Sequence, residues 1–108
     1  MKSYQARQGD IFFRTVENPV GEKKLASPII AYGEITGHCH KISSPAISEL
    51  DSVVDQNGDI FVRNMNGPIS IDHDEHGTVT LPQGEWFSIT RQREYDAAAA
   101  KRERQVQD

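Results

Sequence analysis

Apolar and polar positions alternate in short runs along most of the chain, and turn residues interrupt them about every eight to twelve positions. That rhythm is the signature of consecutive antiparallel strands. Asp10–Val16 reads Asp-Ile-Phe-Phe-Arg-Thr-Val, β-branched and aromatic residues that suit a pleated, half-buried surface. Before it, Met1–Gly9 is polar and reads as a lead-in to the first strand. Glu17–Ala26 carries Asn18-Pro19 and Gly21, a surface loop. Ser27–Glu34 holds Ile29, Ile30 and Tyr32 and is predicted as a strand, and the next runs from His38 to Ser43. Asn57-Gly58 separates Ile47–Asp55 from Asp59–Met65, a strong hairpin signal. Ile69 and Ile71 alternate with polar neighbours up to His73, Asp74–Gly77 turns, and Thr78–Leu81 resumes the strand. After the Pro82-Gln83-Gly84 turn, Glu85–Arg91 is the last strong strand. Of its adjacent aromatics, one of Trp86 and Phe87 should fill the core while the other faces out.

The fold class is therefore all-β, a small antiparallel barrel or sandwich spanning residues 1–96. Residues 97–108 differ. Ala97–Ala100 and the Lys-Arg-Glu-Arg that follows favour helix, but Val106 is the only large apolar residue there. A short helical or disordered C-terminal tail is expected.

Length and composition narrow the function classes. The 108 residues allow one domain with a modest core. A net charge of −4 makes a nucleic-acid partner unexpected. The run from Glu49 to Glu75 holds seven acidic residues and one basic residue, Arg63. Its plain reading is a solvated face with turn residues; the sharper one is a negative field around a cation. Cys39 is the only cysteine, so the fold needs no internal disulfide. The sequence shows neither a membrane-length apolar run nor a secretion signal, which gives a cytoplasmic expectation.

Candidate chemistry lies in the histidines. The chain has four, as the pairs His38/His40 and His73/His76. On a strand, His38 and His40 share a face with attachment points roughly 6–7 Å apart. That spacing suits two imidazoles on one ion at about 2.0–2.1 Å each. If the pairs meet, they form a divalent transition-metal site; zinc, iron, nickel and manganese are the candidates. Glu34 shares the parity of His38 and His40 and is the candidate acid or base. Cys39 should face away from the pair, as a small core residue. At the end of the last strand Arg91, Arg93 and Tyr95 share a face. They could clamp a carboxylate or phosphate, or pair with the acidic Glu49–Asp59 strands.

Gly33 followed by His38-Cys39-His40, and Gly77 followed by Pro82-Gln83-Gly84, resemble the two motifs of the cupin superfamily of small metal-binding β-barrels. Only His38 and His40 match that family's ligands residue by residue. The first motif's Glu falls near Ser44 or Pro45, and the second motif's His falls at Phe87. The span from Gly33 to Asp96 also resembles a group of short bacterial and phage proteins. They share Gly-Glu-X-Thr-Gly-His-X-His, a later His pair, Leu-Pro-X-Gly and Arg-Gln-Arg-Glu-Tyr. That resemblance implies a common fold and supplies no activity.

Two functions are expected on these grounds. One is a divalent-metal protein acting on or sensing a small-molecule ligand in the barrel mouth. The other is a non-enzymatic phage or mobile-element interaction protein in which any metal is structural. A homodimer suits a barrel this small.

Overall fold

The computed structural model describes residues 3–32 and 37–91. Its strands are β1 (Gln5–Gln8), β2 (Ile11–Val16), β3 (Ile29–Tyr32), β4 (Cys39–Ser44), β5 (Asp51–Val54), β6 (Ile60–Arg63), β7 (Ile69–His73), β8 (Val79–Leu81) and β9 (Trp86–Arg91). A single 3₁₀ turn, Ile47–Glu49, is the only helical element among the described residues. The first sheet has the order β1-β2-β9-β6-β5 and the second β3-β4-β7-β8. Every pairing is antiparallel. The all-β, antiparallel reading holds, and the architecture is a small sandwich.

Two facing sheets hide one face each, and the strands show it. In β2, Ile11 and Phe13 are buried while Arg14 is exposed. In β7, Ile69 and Ile71 point in and Asp72 points out. Phe13, Val62, Ile69, Ile71, Leu81 and Phe87 are the centre of the core. Phe87 is fully buried, and Trp86 turns outward beneath the Arg63 guanidinium, 4.8 Å from its ring centre. Each adjacent aromatic thus takes the face that strand parity assigns. Asn57-Gly58 does join β5 and β6 as a hairpin. There Gly58 has φ +83°, and Asp55 Oδ1 accepts from the backbone N–H of Asn57 and of Asp59, each at 2.9 Å.

Two expectations need correction. The polar lead-in contains a strand, β1, joined to β2 by the two-residue turn Gly9-Asp10. Gly9 has φ +60°, the first central position that a type II′ hairpin reserves for glycine. Cys39 is not in the core: it stands opposite the exposed Tyr32 on the outer face, since its neighbour His40 takes the inner one. The acidic run takes its plain reading, with Glu49, Asp51, Asp72, Asp74 and Glu75 exposed. Asp51 pairs with Arg63 at 2.8 Å, Asp55 closes its turn, and Asp72 accepts from the Thr78 hydroxyl at 2.8 Å. The expected tail, 97–108, lies outside the described residues.

Candidate metal centre

The site grows out of the core's own inward rows. On β7 the inward positions read Ile69, Ile71, His73, and on β4 they read Ile42, then His40. Apolar lining gives way to imidazole at one mouth of the sandwich. His40 and His73 are direct cross-strand partners, as are Ile42 and Ile71. Directly opposed side chains on one face start roughly 4.5–5.5 Å apart at Cβ. Here the ring centres lie 4.3 Å apart. His38, diagonal to His73, has its ring 6.0 Å away. The β7–β8 turn folds back so that the His76 ring is 4.6 Å from His73 and 6.5 Å from His40. The two histidine pairs therefore meet, although His76 itself is solvent-exposed.

His40 is the fixed point. It is 1% exposed, and its Nδ1 lies 2.9 Å from Gln8 Oε1. The Gln8 amide nitrogen donates to Ile71 O at 2.8 Å and to Gly77 O at 2.9 Å. With both amide protons committed to carbonyls, Oε1 can only accept, so His40 carries its proton on Nδ1. Its Nε2 then presents a lone pair to the mouth, the arrangement in which an outer partner sets a ligand imidazole. Burial holds the His40 pKa below the usual histidine value, and His73 adds to that effect; Asp10 opposes it, while Arg91 and His76 lower it further. The net effect favours the neutral ring over the imidazolium.

Other groups close around it. Asp10 Oδ1 lies 3.6 Å from His40 Nε2, and Asp10 Oδ2 lies 3.2 Å from Arg91 Nε. Arg91 also donates to Tyr32 O, tying the end of β9 to the end of β3 across the two sheets. Its carboxylate partner is thus Asp10, not the Glu49–Asp59 strands. Glu75 Oε1 is 3.4 Å from His38 Nδ1, a buried atom with no hydrogen-bond partner. His73 Nδ1 accepts from Glu75 N–H at 3.0 Å. Ligation through His73 Nδ1 would break that bond, a cost of about 0.5–1.5 kcal/mol.

Proximity of rings is not yet coordination. Two imidazoles on one ion keep their centres within about 6.4 Å, from metal–nitrogen bonds of about 2.0–2.1 Å. His40/His73, His73/His76 and His38/His73 fall within this limit, and His40/His76, at 6.5 Å, exceeds it. Among the described residues, no group of three or more His, Cys, Asp or Glu side chains stands ready to hold a metal ion. Side-chain rotation, chiefly of His73 and the exposed His76, is needed to gather the donors. Glu34, Arg93 and Tyr95 lie outside the described residues. Gln8 and Asp10 are the site residues that sequence reasoning missed. The one available signal was Gly9-Asp10 between alternating runs, which reads as a two-residue hairpin.

Beside Arg91 opens a cavity of about 490 Å³, walled by Ile11, Ile30, Ala31, Ile60 and Ile89 and by the Asn57–Asp59 turn. No helix among the described residues is long and apolar enough to cross a membrane. The model of a domain of unknown function, DUF8820, matches residues 7–92. No curated protein and no solved structure matches the chain.

Proposed function

We propose that this chain, which belongs to the DUF8820 family, is a cupin-like divalent-metal protein that holds one transition-metal ion in its histidine cluster and presents it to a small ligand. The meeting of the two histidine pairs around His40 carries this reading. Four imidazoles in one sandwich mouth, one of them buried with its lone pair aimed at the cluster, form a donor set for zinc, iron, nickel or manganese. The neighbouring cavity falls in the 300–1,000 Å³ range of small-molecule sites, and its mixed lining sets isoleucines beside the polar Asn57–Asp59 turn and Arg91. A ligand anion there would find a half-exposed guanidinium near the metal. Three protein ligands leave an open position where the ion can activate water or polarise a bound oxygen.

Metal content tests the reading. The untagged protein should carry close to one equivalent of a transition metal by mass spectrometry, and His40→Ala should lose most of it. Less than about a tenth of an equivalent in the wild type, after incubation with each candidate metal, would rule it out.

One observation favours a second reading, a structural staple in a non-enzymatic interaction protein. The cluster joins three separate segments: the β1–β2 turn, β4 and the β7–β8 turn. Chelation separates the two. A staple makes the melting temperature fall steeply with metal removal, because binding free energy is then folding free energy. An open reactive site leaves the fold nearly as stable.

A further inference from the structure

Three consecutive residues, the last of β1 and the two of the β1–β2 turn, each address a different part of the histidine cluster. Gln8 fixes the His40 tautomer through Nδ1. Gly9 makes room for His76, for a Cβ built there would stand 2.7 Å from His76 Nε2. Asp10 faces the other nitrogen of His40. None of the three is a histidine, and they arrive from the opposite sheet.

We propose that this turn completes the metal centre and that Asp10 Oδ1 is a ligand to the same ion as His40 Nε2. The inference rests on the metal reading above and adds a donor to it. With Nδ1 turned to Gln8, His40 presents Nε2 to a carboxylate oxygen 3.6 Å away. That is too long for a direct hydrogen bond and is a gap that one cation can bridge. A divalent ion about 2.05 Å from the nitrogen and about 2.1 Å from the oxygen spans 3.6 Å with an angle of about 120°, within the normal range for such centres. The carboxylate is also divided as a one-oxygen ligand requires. Oδ2 is held by Arg91 Nε at 3.2 Å, which leaves Oδ1 for the metal. A direct ion pair between a protonated His40 and Asp10 is the competing account, and the cobalt titration decides between the two. A carboxylate among imidazoles makes the set borderline-hard, suited to zinc, manganese or ferrous iron and poor for cuprous copper.

Cobalt(II) titration, followed by calorimetry and visible absorption, tests this on the full chain, with Asp10→Ala and Asp10→Asn as variants. Asn keeps the shape and an oxygen for Arg91, so it covers the case in which Ala impairs folding. The expected result is a loss of cobalt affinity greater than the ~10–100-fold that an outer-shell partner costs, with a shifted ligand-field spectrum in both variants. Unchanged affinity, or a smaller loss with the wild-type spectrum, overturns the ligand role while leaving the histidine site intact. If the wild type itself binds no cobalt while folded, the metal reading fails with it.

Discussion

A single buried glutamine decides how His40 behaves. Gln8 occupies a core-facing position on β1 where an apolar residue would be expected, and all its amide hydrogens and its carbonyl oxygen are used. It thereby imposes one tautomer on a neutral ring. The energetic consequence is a pH dependence with a definite sign. The folded-state pKa of His40 is lowered, so in acid the unfolded chain takes up a proton first. This histidine therefore costs no stability above the unfolded value near 6.5; the cost grows as pH falls below it and levels off below the folded value. Urea melts of the metal-free protein between pH 8 and pH 5 should show a shallower acid-side loss in His40→Gln than in the wild type. Equal slopes would mean that His40 is not held neutral by burial. Residues such as Gln8 and Asp10 were not legible as site residues. Each is a lone polar residue, and the partner that gives it meaning lies about thirty positions away in sequence or more.

At the scale of elements, alternation was informative wherever a strand buries one face. β2 and β7 follow that pattern closely, whereas β9 buries Phe87, Ser88 and Ile89 in succession; the bounds of all three differ from the expected ones by a residue or so. β1 escaped because Gln5-Ala6-Arg7-Gln8 has no large apolar residue on either face. It is an edge strand whose inward end serves the site rather than the core. The β5–β6 hairpin was legible from Asn57-Gly58, but the carboxylate that closes it was not. Asp55→Ala removes an acceptor used by two backbone N–H groups and should destabilise the fold by about 1–2 kcal/mol in a denaturant melt. The hairpin has no part in the histidine cluster, so metal stoichiometry should stay at the wild-type value. A change in stoichiometry with no change in stability would contradict this division of labour.

For the molecule as a whole, the sandwich explains why residues more than thirty positions apart act together. Pairing β4 with β7 sets His40 opposite His73, and packing the first sheet over the mouth delivers Asp10 and Arg91. The sequence could announce two histidine pairs, but not the register that joins them. That register is a property of neighbouring strands, fixed by Ile42 against Ile71 one step deeper in the core. The same pairing puts His40 on the inner face among the histidine cluster and Cys39 on the outer face opposite Tyr32.

The most direct test of this convergence is nuclear magnetic resonance of the ¹⁵N-labelled imidazoles during a zinc titration. The ring nitrogens of His40 and of His73 or His76 should shift together and saturate at one zinc per chain, with His40 coordinating through Nε2. Independent titration of the two pairs, or no response at His40, would contradict a shared centre.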